Sequence, residues 1–219
     1  ELQLALEKLR EIDGFKTKFF ANVSHELRTP LALILGPVDQ LLKENSQLEA
    51  RERFRLTAIK RNAQSLLHQV NDLLDLARID ALQMPMAYVC ANVIALLRDV
   101  MATFAAAAEE KSITLLIEGP SELYADIDRA KLARVMANLV SNAFKFTPVG
   151  GRICCSITRV ANRRFLLSVQ DTGPGVPSQM KDHIFSRFTQ GQDGLSGGGS
   201  GLGLNIVKEF VELHFGTVV

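Results

Sequence analysis

A chain of 219 residues has room for one large domain or two modest ones, and 47% hydrophobic with 22% charged residues is ordinary globular composition. A net charge of +1 provides no bulk field for nucleic acid or an anionic membrane surface, so neither is expected as a partner. The three cysteines, Cys90, Cys154 and Cys155, form neither zinc spacing nor a disulfide framework, and no apolar run approaches the roughly 20 residues of a membrane span.

No signal peptide opens the chain at Glu1, and the sequence reads as a piece of something longer. Residues 1–18 carry Leu2, Leu6 and Leu9, then Ile12 and Phe15, a pattern whose phase shifts midway. It is expected as a coiled-coil signalling helix with a stammer, or as the frayed end of a cut helix. From Phe20 apolar residues recur at Val23, Leu27, Leu31, Ile34, Val38 and Leu41. A second run holds Leu56, Ile59, Ala63, Leu66, Val70, Leu73 and Ala77. Spacings of three and four predict two amphipathic helices, and the polar stretch Lys43 to Glu49 suits the connection of an antiparallel pair. Two helices cannot bury seams this long alone, whereas a homodimeric four-helix bundle can. The region 19–81 is therefore expected as a dimerisation domain.

The periodicity stops over 82–88, around Pro85, and this segment is expected as a linker and hinge. Beyond it, 89–219 changes character. Val93 to Phe104 reads as a helix, Ile113 to Ile117 as a strand, and Leu132 to Ala143 as a second helix. Arg152 to Val160 and Arg163 to Asp171 read as a hairpin turning at Ala161-Asn162. Adjacent strand residues face opposite ways, and Cys154 and Cys155 are taken as two core thiols. A glycine-rich stretch, Gly191 to Gly203, leads into a last helix, Leu204 to Leu213. Helices and antiparallel strands segregated in this way predict a two-layer α+β sandwich.

Four groups of residues carry chemistry. His25 lies about 180° from the seam of its helix and faces solvent, with Thr29 one turn on. The Glu26 carboxylate next to it can hold one ring nitrogen protonated and leave the other nucleophilic, and Pro30 should bend the helix. Asn138, Asn142 and Lys145 fall on one face of an otherwise apolar helix, where asparagines need partners or cost desolvation. On spacing alone they are either backbone-bonding residues or a polar site. Asp171-Thr172-Gly173-Pro174-Gly175 is a strand end opening into a tight turn. Gly199-Ser200-Gly201-Leu202-Gly203 directly precedes a helix, where glycines let N–H groups approach phosphate oxygens, although a glycine run is otherwise a flexible linker.

The unbroken run Phe19 to Leu31, FFANVSHELRTPL, resembles the phosphoacceptor box of sensor histidine kinases. Asn138 to Pro148 resembles the N-box of that family, Asp171 to Gly175 its adenine-binding box, and Gly199 to Leu204 its second glycine box. Ile184 to Phe188 is similar to the phenylalanine box beside the ATP lid, though its phenylalanines suit a plain core equally. The boxes stand in family order and span most of the chain. The resemblance implies a Bergerat-type ATP-binding fold for 89–219 and a dimerisation and phosphotransfer domain for 19–81.

It implies ATP as phosphoryl donor, Mg²⁺ held by Asn142 with help from Asn138, and phosphate contacts from Lys145 and Arg187. Asp171 would bind the adenine amine, which distinguishes adenine from guanine. Thr172, Gly173 and Gly175 complete that turn. Gly199, Ser200, Gly201, Leu202 and Gly203 would cradle phosphate. His25 would be phosphorylated, with Glu26 as base or orienter, and would pass the group to an aspartate of a response-regulator receiver domain. Thr29 would position water for dephosphorylating that partner. The resemblance also implies an upstream sensor domain and a cytoplasmic location for this fragment, with no membrane contact by it, and leaves open whether the parent protein is a hybrid kinase or membrane-anchored.

One departure stands out. Two glycines usually follow the position of His214, and here Phe215 replaces one of them. The chain ends at Val219, so about 20 to 30 residues of closing strands are expected to be missing. Competing readings are a scaffold that has lost catalysis, and a chaperone-like ATPase, which leaves His25 and Glu26 unexplained.

Overall fold

A computed structural model describes residues 22–23, 26–44, 48–160, 164–187, 189 and 201–219. The chain divides into two compact units between Met84 and Pro85.

The first unit is helical. Helix α1 covers 26–44, and α2 covers Ala50–Asp80. At the start of α2 the Glu52 carboxylate accepts the Glu49 N–H at 3.2 Å, satisfying a donor that the helix itself leaves free. Arg28 on α1 donates to the Asn71 amide oxygen at 2.8 Å, and Lys60 on α2 pairs with Asp39 at 2.7 Å. Early residues of α1 thus meet late residues of α2, so the pair is antiparallel. Only part of the predicted seam is covered within the chain. Leu31, Val38, Ala63, Val70 and Ala77 are buried, while Leu27, Ile34, Leu41, Ile59 and Leu66 remain exposed. The 1–18 segment and the centre of the α1–α2 connection lie outside the described residues.

The second unit runs β1 (Tyr88–Asn92), α3 (Val93–Ala102), α4 (Ala105–Glu110), β2 (Thr114–Glu118), β3 (Tyr124–Asp128), α5 (Arg129–Phe146), β4 (Arg152–Val160), β5 (Arg164–Asp171) and α6 (Gly203–Leu213). β2 pairs parallel to β4, and β4 antiparallel to β5 with Ile153 opposite Asp171 and Val160 opposite Arg164. The parallel pair requires a crossover, and α5 lies within it. β1 and β3 form a separate antiparallel pair. Ile153, Cys155 and Ile157 alternate along β4 onto the covered face, where the Cys155 thiol lies 3.5 Å from the Met101 sulfur of α3. Cys154, facing the other way, is only half-buried. α3 and α5 pack against this face and α6 packs on α5, with Ile94, Leu97, Val135, Met136, Ile206 and Phe210 inside. This is the two-layer α+β arrangement expected. The hairpin strands fall where predicted, and the Ala161-Asn162 turn lies outside the described residues.

The structure differs from the sequence reading at three points. The predicted helix over 93–104 breaks at Thr103, and α4 follows as a separate short helix. β1 and β3 were not expected. Residues 85–88 of the expected 82–88 linker belong to the second unit, because they are tied into it. The Asp128 carboxylate accepts the Ala87 N–H at 2.9 Å, and the Lys131 ammonium donates to the Pro85 carbonyl at 2.6 Å. The Tyr88 hydroxyl bonds the Leu213 carbonyl at the end of α6, and its ring meets His214 edge-on.

The same junction sets both major helices. Asp128 caps α5 through the Lys131 N–H at 3.1 Å and also accepts the Lys131 ammonium at 2.7 Å. Burial alone would raise its carboxyl, but the Ala87 and Lys131 contacts outweigh this and hold it at about 2, below the ordinary 3.8. His214, just past α6, accepts the Asp128 N–H at Nε2 (3.0 Å), while its Nδ1 donates to the Phe210 carbonyl at 2.6 Å. These two bonds define the neutral tautomer. The next residue, Phe215, adopts a left-handed φ of +59° with its side chain exposed. Among the described residues, no helix is long and apolar enough to cross a membrane.

Candidate functional site

Helix α5 is the spine of the site. Its apolar face, with Leu132, Val135, Met136, Val140 and Ala143, is buried. Asn138 is buried on α5 as well, and its amide nitrogen donates to the Gly203 carbonyl at 3.3 Å. A Cβ added to Gly203 would sit 3.8 Å from the Asn138 amide, so the glycine box closes onto the asparagine helix. Asn142, one turn further on, is half-buried, and Lys145 is exposed, with its ammonium 5.0 Å from the Phe146 ring centre.

The far end of α5 meets the Asp171 turn. A Cβ on Gly173 would fall 2.8 Å from the Phe146 carbonyl and 2.6 Å from the Asp171 carboxylate, so only glycine fits there. Gly175 has a φ of +73°, the left-handed conformation that glycine adopts without strain. One Asp171 oxygen accepts the Gly173 N–H at 2.7 Å, leaving the other oxygen of this exposed side chain available to a ligand donor. The Thr172 hydroxyl accepts the Arg152 N–H at 2.9 Å and still has its own proton to donate.

At the start of α6, Leu202 occupies the capping position and has no side chain able to cap. Uncapped N–H groups at a helix start, preceded by Gly201 at φ +69°, are suited to an anion. Arg187 is exposed and pairs with Glu209 of α6 at 3.5 Å. Its predicted phosphate contact therefore starts from a side chain resting on α6. On α1, Glu26 and Thr29 are exposed. His25, Gly199 and Ser200 lie outside the described residues.

Three separated stretches of sequence, 138–146, 171–175 and 201–203, thus converge around α5. A protein-family model described as histidine kinase-, DNA gyrase B- and HSP90-like ATPase matches residues 127–219. A second, the His Kinase A (phospho-acceptor) domain, matches residues 15–82. The chain belongs to the sensor histidine kinases of two-component systems. The chain is 47% identical over 220 residues to the sensor histidine kinase TmoS of Ectopseudomonas mendocina, covering 100% of this chain and 23% of that protein. It is 48% identical over 226 residues to hybrid signal transduction histidine kinase D of Dictyostelium discoideum, covering 100% of this chain and 14% of that one. The chain therefore spans about a quarter or less of these relatives. Among solved structures, full-length ShkA in complex with AMPPNP is 34% identical, with a TM-score of 0.71 over 89% of this chain and 40% of that chain.

A divalent cation is implied by the family, and the donors present fit one. The Asn138 NH₂ is committed to Gly203, so its oxygen is the free end of that amide, with Asn142 one turn away. Among the described residues no cluster of three or more His, Cys, Asp or Glu is placed to hold a metal. Neutral amide oxygens suit a Mg²⁺ ion that keeps most of its waters and shares the phosphates.

Sequence reasoning missed Asn205, Asp128, Lys131 and His214. Asp128, directly before an apolar helical run, is a legible capping signal. The roles of Asn205 and His214 depend on groups distant in sequence and left no local signal.

Proposed function

We propose that this chain binds ATP around α5 and phosphorylates its own His25. The observation that carries the reading is the convergence of Asn138 with Gly203, and of Gly173 with the end of α5, in a chain that also bears the acceptor box. Adenine is recognised by the free oxygen of Asp171, assisted by the Thr172 hydroxyl. Phosphates lie toward the uncapped start of α6, within reach of Lys145 and Arg187. Asn142, with Asn138, would hold Mg²⁺, which when bound neutralises phosphate charge. A His25 ring nitrogen attacks the γ-phosphorus in line. The new N–P bond forms as the bond to the β–γ bridging oxygen breaks, and ADP leaves with the electron pair. Glu26 holds the proton on the other ring nitrogen. Catalysis here is mainly positioning and electrostatics.

The exposed Leu27, Ile34, Leu41, Ile59 and Leu66 form the apolar stripe that a second copy would cover, supporting a homodimeric four-helix bundle. The domain reading is 19–81 for dimerisation and phosphotransfer, and 89–219 for ATP binding. The phosphoryl group then passes to a receiver-domain aspartate, in trans or in the same polypeptide. Thr29, exposed one turn beyond the acceptor, places water for the reverse hydrolysis. An upstream sensor domain and a cytoplasmic setting belong to the same reading. Incubation with γ-labelled ATP and Mg²⁺ tests it. Acid-labile, alkali-stable label is expected on the wild type and absent from His25→Gln. Label that persists in the variant would refute His25 as acceptor.

A further inference from the structure

Asn205 sits in the first turns of α6, is buried, and is surrounded in sequence by the fully buried Ile206, Val207 and Phe210. Its amide nitrogen donates to the Phe185 carbonyl at 3.0 Å. Its amide oxygen is buried and has no hydrogen-bond partner among the described residues. A buried acceptor left unpaired destabilises, whereas an apolar side chain of the same shape is close to neutral. Leucine at this position would remove the unpaired oxygen but also leave the Phe185 carbonyl without its donor, so the two effects on stability oppose each other. The feature that leucine cannot reproduce is the hold on Phe185.

One turn along the same face of α6, Glu209 pairs with Arg187. Residues 205 and 209 thus grip residues 185 and 187 in parallel, fastening the phenylalanine-box segment to α6 at two points. The helix they use begins at Gly203, whose carbonyl is held by Asn138. Gly203 and Glu209 lie about 9 Å apart along the axis, so Arg187 rests beside α6 within two turns of its start. Arg187 is therefore carried by the same helix whose N-terminal N–H groups face the phosphates.

We propose that Asn205, together with Glu209, is a positioning residue for ATP: it seats the Phe185–Arg187 segment on α6 so that the Arg187 guanidinium reaches the phosphates of a bound nucleoside triphosphate. This rests on the ATP-dependent kinase reading above and names the part of the chain that sets its nucleotide affinity. Neither Asn205 nor Glu209 touches the nucleotide.

The test compares wild type, Asn205→Leu and Glu209→Gln in the full chain. ATP and AMP affinities are measured with Mg²⁺, together with the KM and kcat of autophosphorylation and the Tm. Asn205→Leu is expected to raise the Kd and KM for ATP about tenfold, the scale of one lost positioning contact. Its kcat should stay within about twofold, its AMP affinity should be unchanged, and its Tm should change little, because losing the unpaired oxygen offsets losing the bond to Phe185. Glu209 is half-buried and glutamine keeps its shape, so Glu209→Gln keeps the fold intact and is expected to raise the KM for ATP about threefold. A fall in Tm with KM unchanged would reduce Asn205 to a structural tether and overturn the proposal. Equal loss of ATP and AMP affinity would also overturn it, because the effect would then not act through the phosphates. Should Asn205→Leu fail to fold, an unchanged KM in Glu209→Gln overturns it instead. A wild type that binds no ATP would refute the kinase reading itself, a different outcome from any of these.

Discussion

Replacing Asp128 by asparagine tests whether the junction at the start of the second unit is held by charge. The carboxylate caps α5 through the Lys131 N–H, and its other oxygen takes the Ala87 N–H and the Lys131 ammonium. Asparagine keeps the shape and one acceptor, but turns the second acceptor into an NH₂ facing donors. The folded carboxyl is held at about 2, against 3.8 for the ordinary group. That drop corresponds to about 2.5 kcal/mol of stability at pH 7. The sign follows from the direction: a carboxyl more acidic in the folded state contributes fully above 3.8 and loses its contribution as pH falls toward 2. About half should remain at pH 3. Both tyrosines, Tyr88 and Tyr124, lie in the second unit and the chain has no tryptophan. Tyrosine fluorescence during urea unfolding therefore follows this unit selectively. Wild type should exceed Asp128→Asn by about 2.5 kcal/mol at pH 7, and the gap should narrow steadily from pH 5 to pH 3. A gap that stays constant over that range, or one near zero at pH 7, would refute the charge argument.

Three further outcomes are expected. Gly173→Ala forces a Cβ to within 2.6 Å of Asp171 and 2.8 Å of the Phe146 carbonyl, so calorimetry should show ATP affinity reduced at least about tenfold as the adenine-binding turn is displaced. Phe215→Gly should raise stability by about 1 kcal/mol in urea titration, because a left-handed φ of +59° strains phenylalanine and its exposed ring has little packing to lose. Burial pushes the Cys155 thiol up to about 11, whereas Cys90 is exposed, so iodoacetamide at pH 8 should label Cys90 long before Cys155 in peptide mass mapping.

Elements whose evidence is repeated within themselves were the ones legible in sequence. α1, α2 and α5 each carry several turns of periodic apolar residues, and the site boxes are short motifs whose spacing carries their chemistry. β1 and β3 were invisible for the opposite reason. Tyr88–Asn92 and Tyr124–Asp128 are five residues each, with only Ile127 and Asp128 buried, and extended because they pair with one another across a long separation. Asn92 helps set that pairing by accepting the N–H groups of Ile94 and, more weakly, Leu123, contacts that no local pattern announces. The same limit applies to His214 and Asn205. Each stands in a helical stretch where any polar residue would satisfy the periodicity, and each acquires its role from a backbone group at least 20 residues away, the Asp128 N–H or the Phe185 carbonyl. Phe215 lies between these cases. The sequence marks it as a departure from a glycine, but only the φ of +59° explains why glycine suits that place: the chain must turn left-handed there to let the Gly216 N–H reach the Val211 carbonyl and close the end of α6. The strain at Phe215 is thus borne one residue from the histidine that joins α6 to α5. Relieving it should therefore tighten the junction that Asp128 holds from the other side.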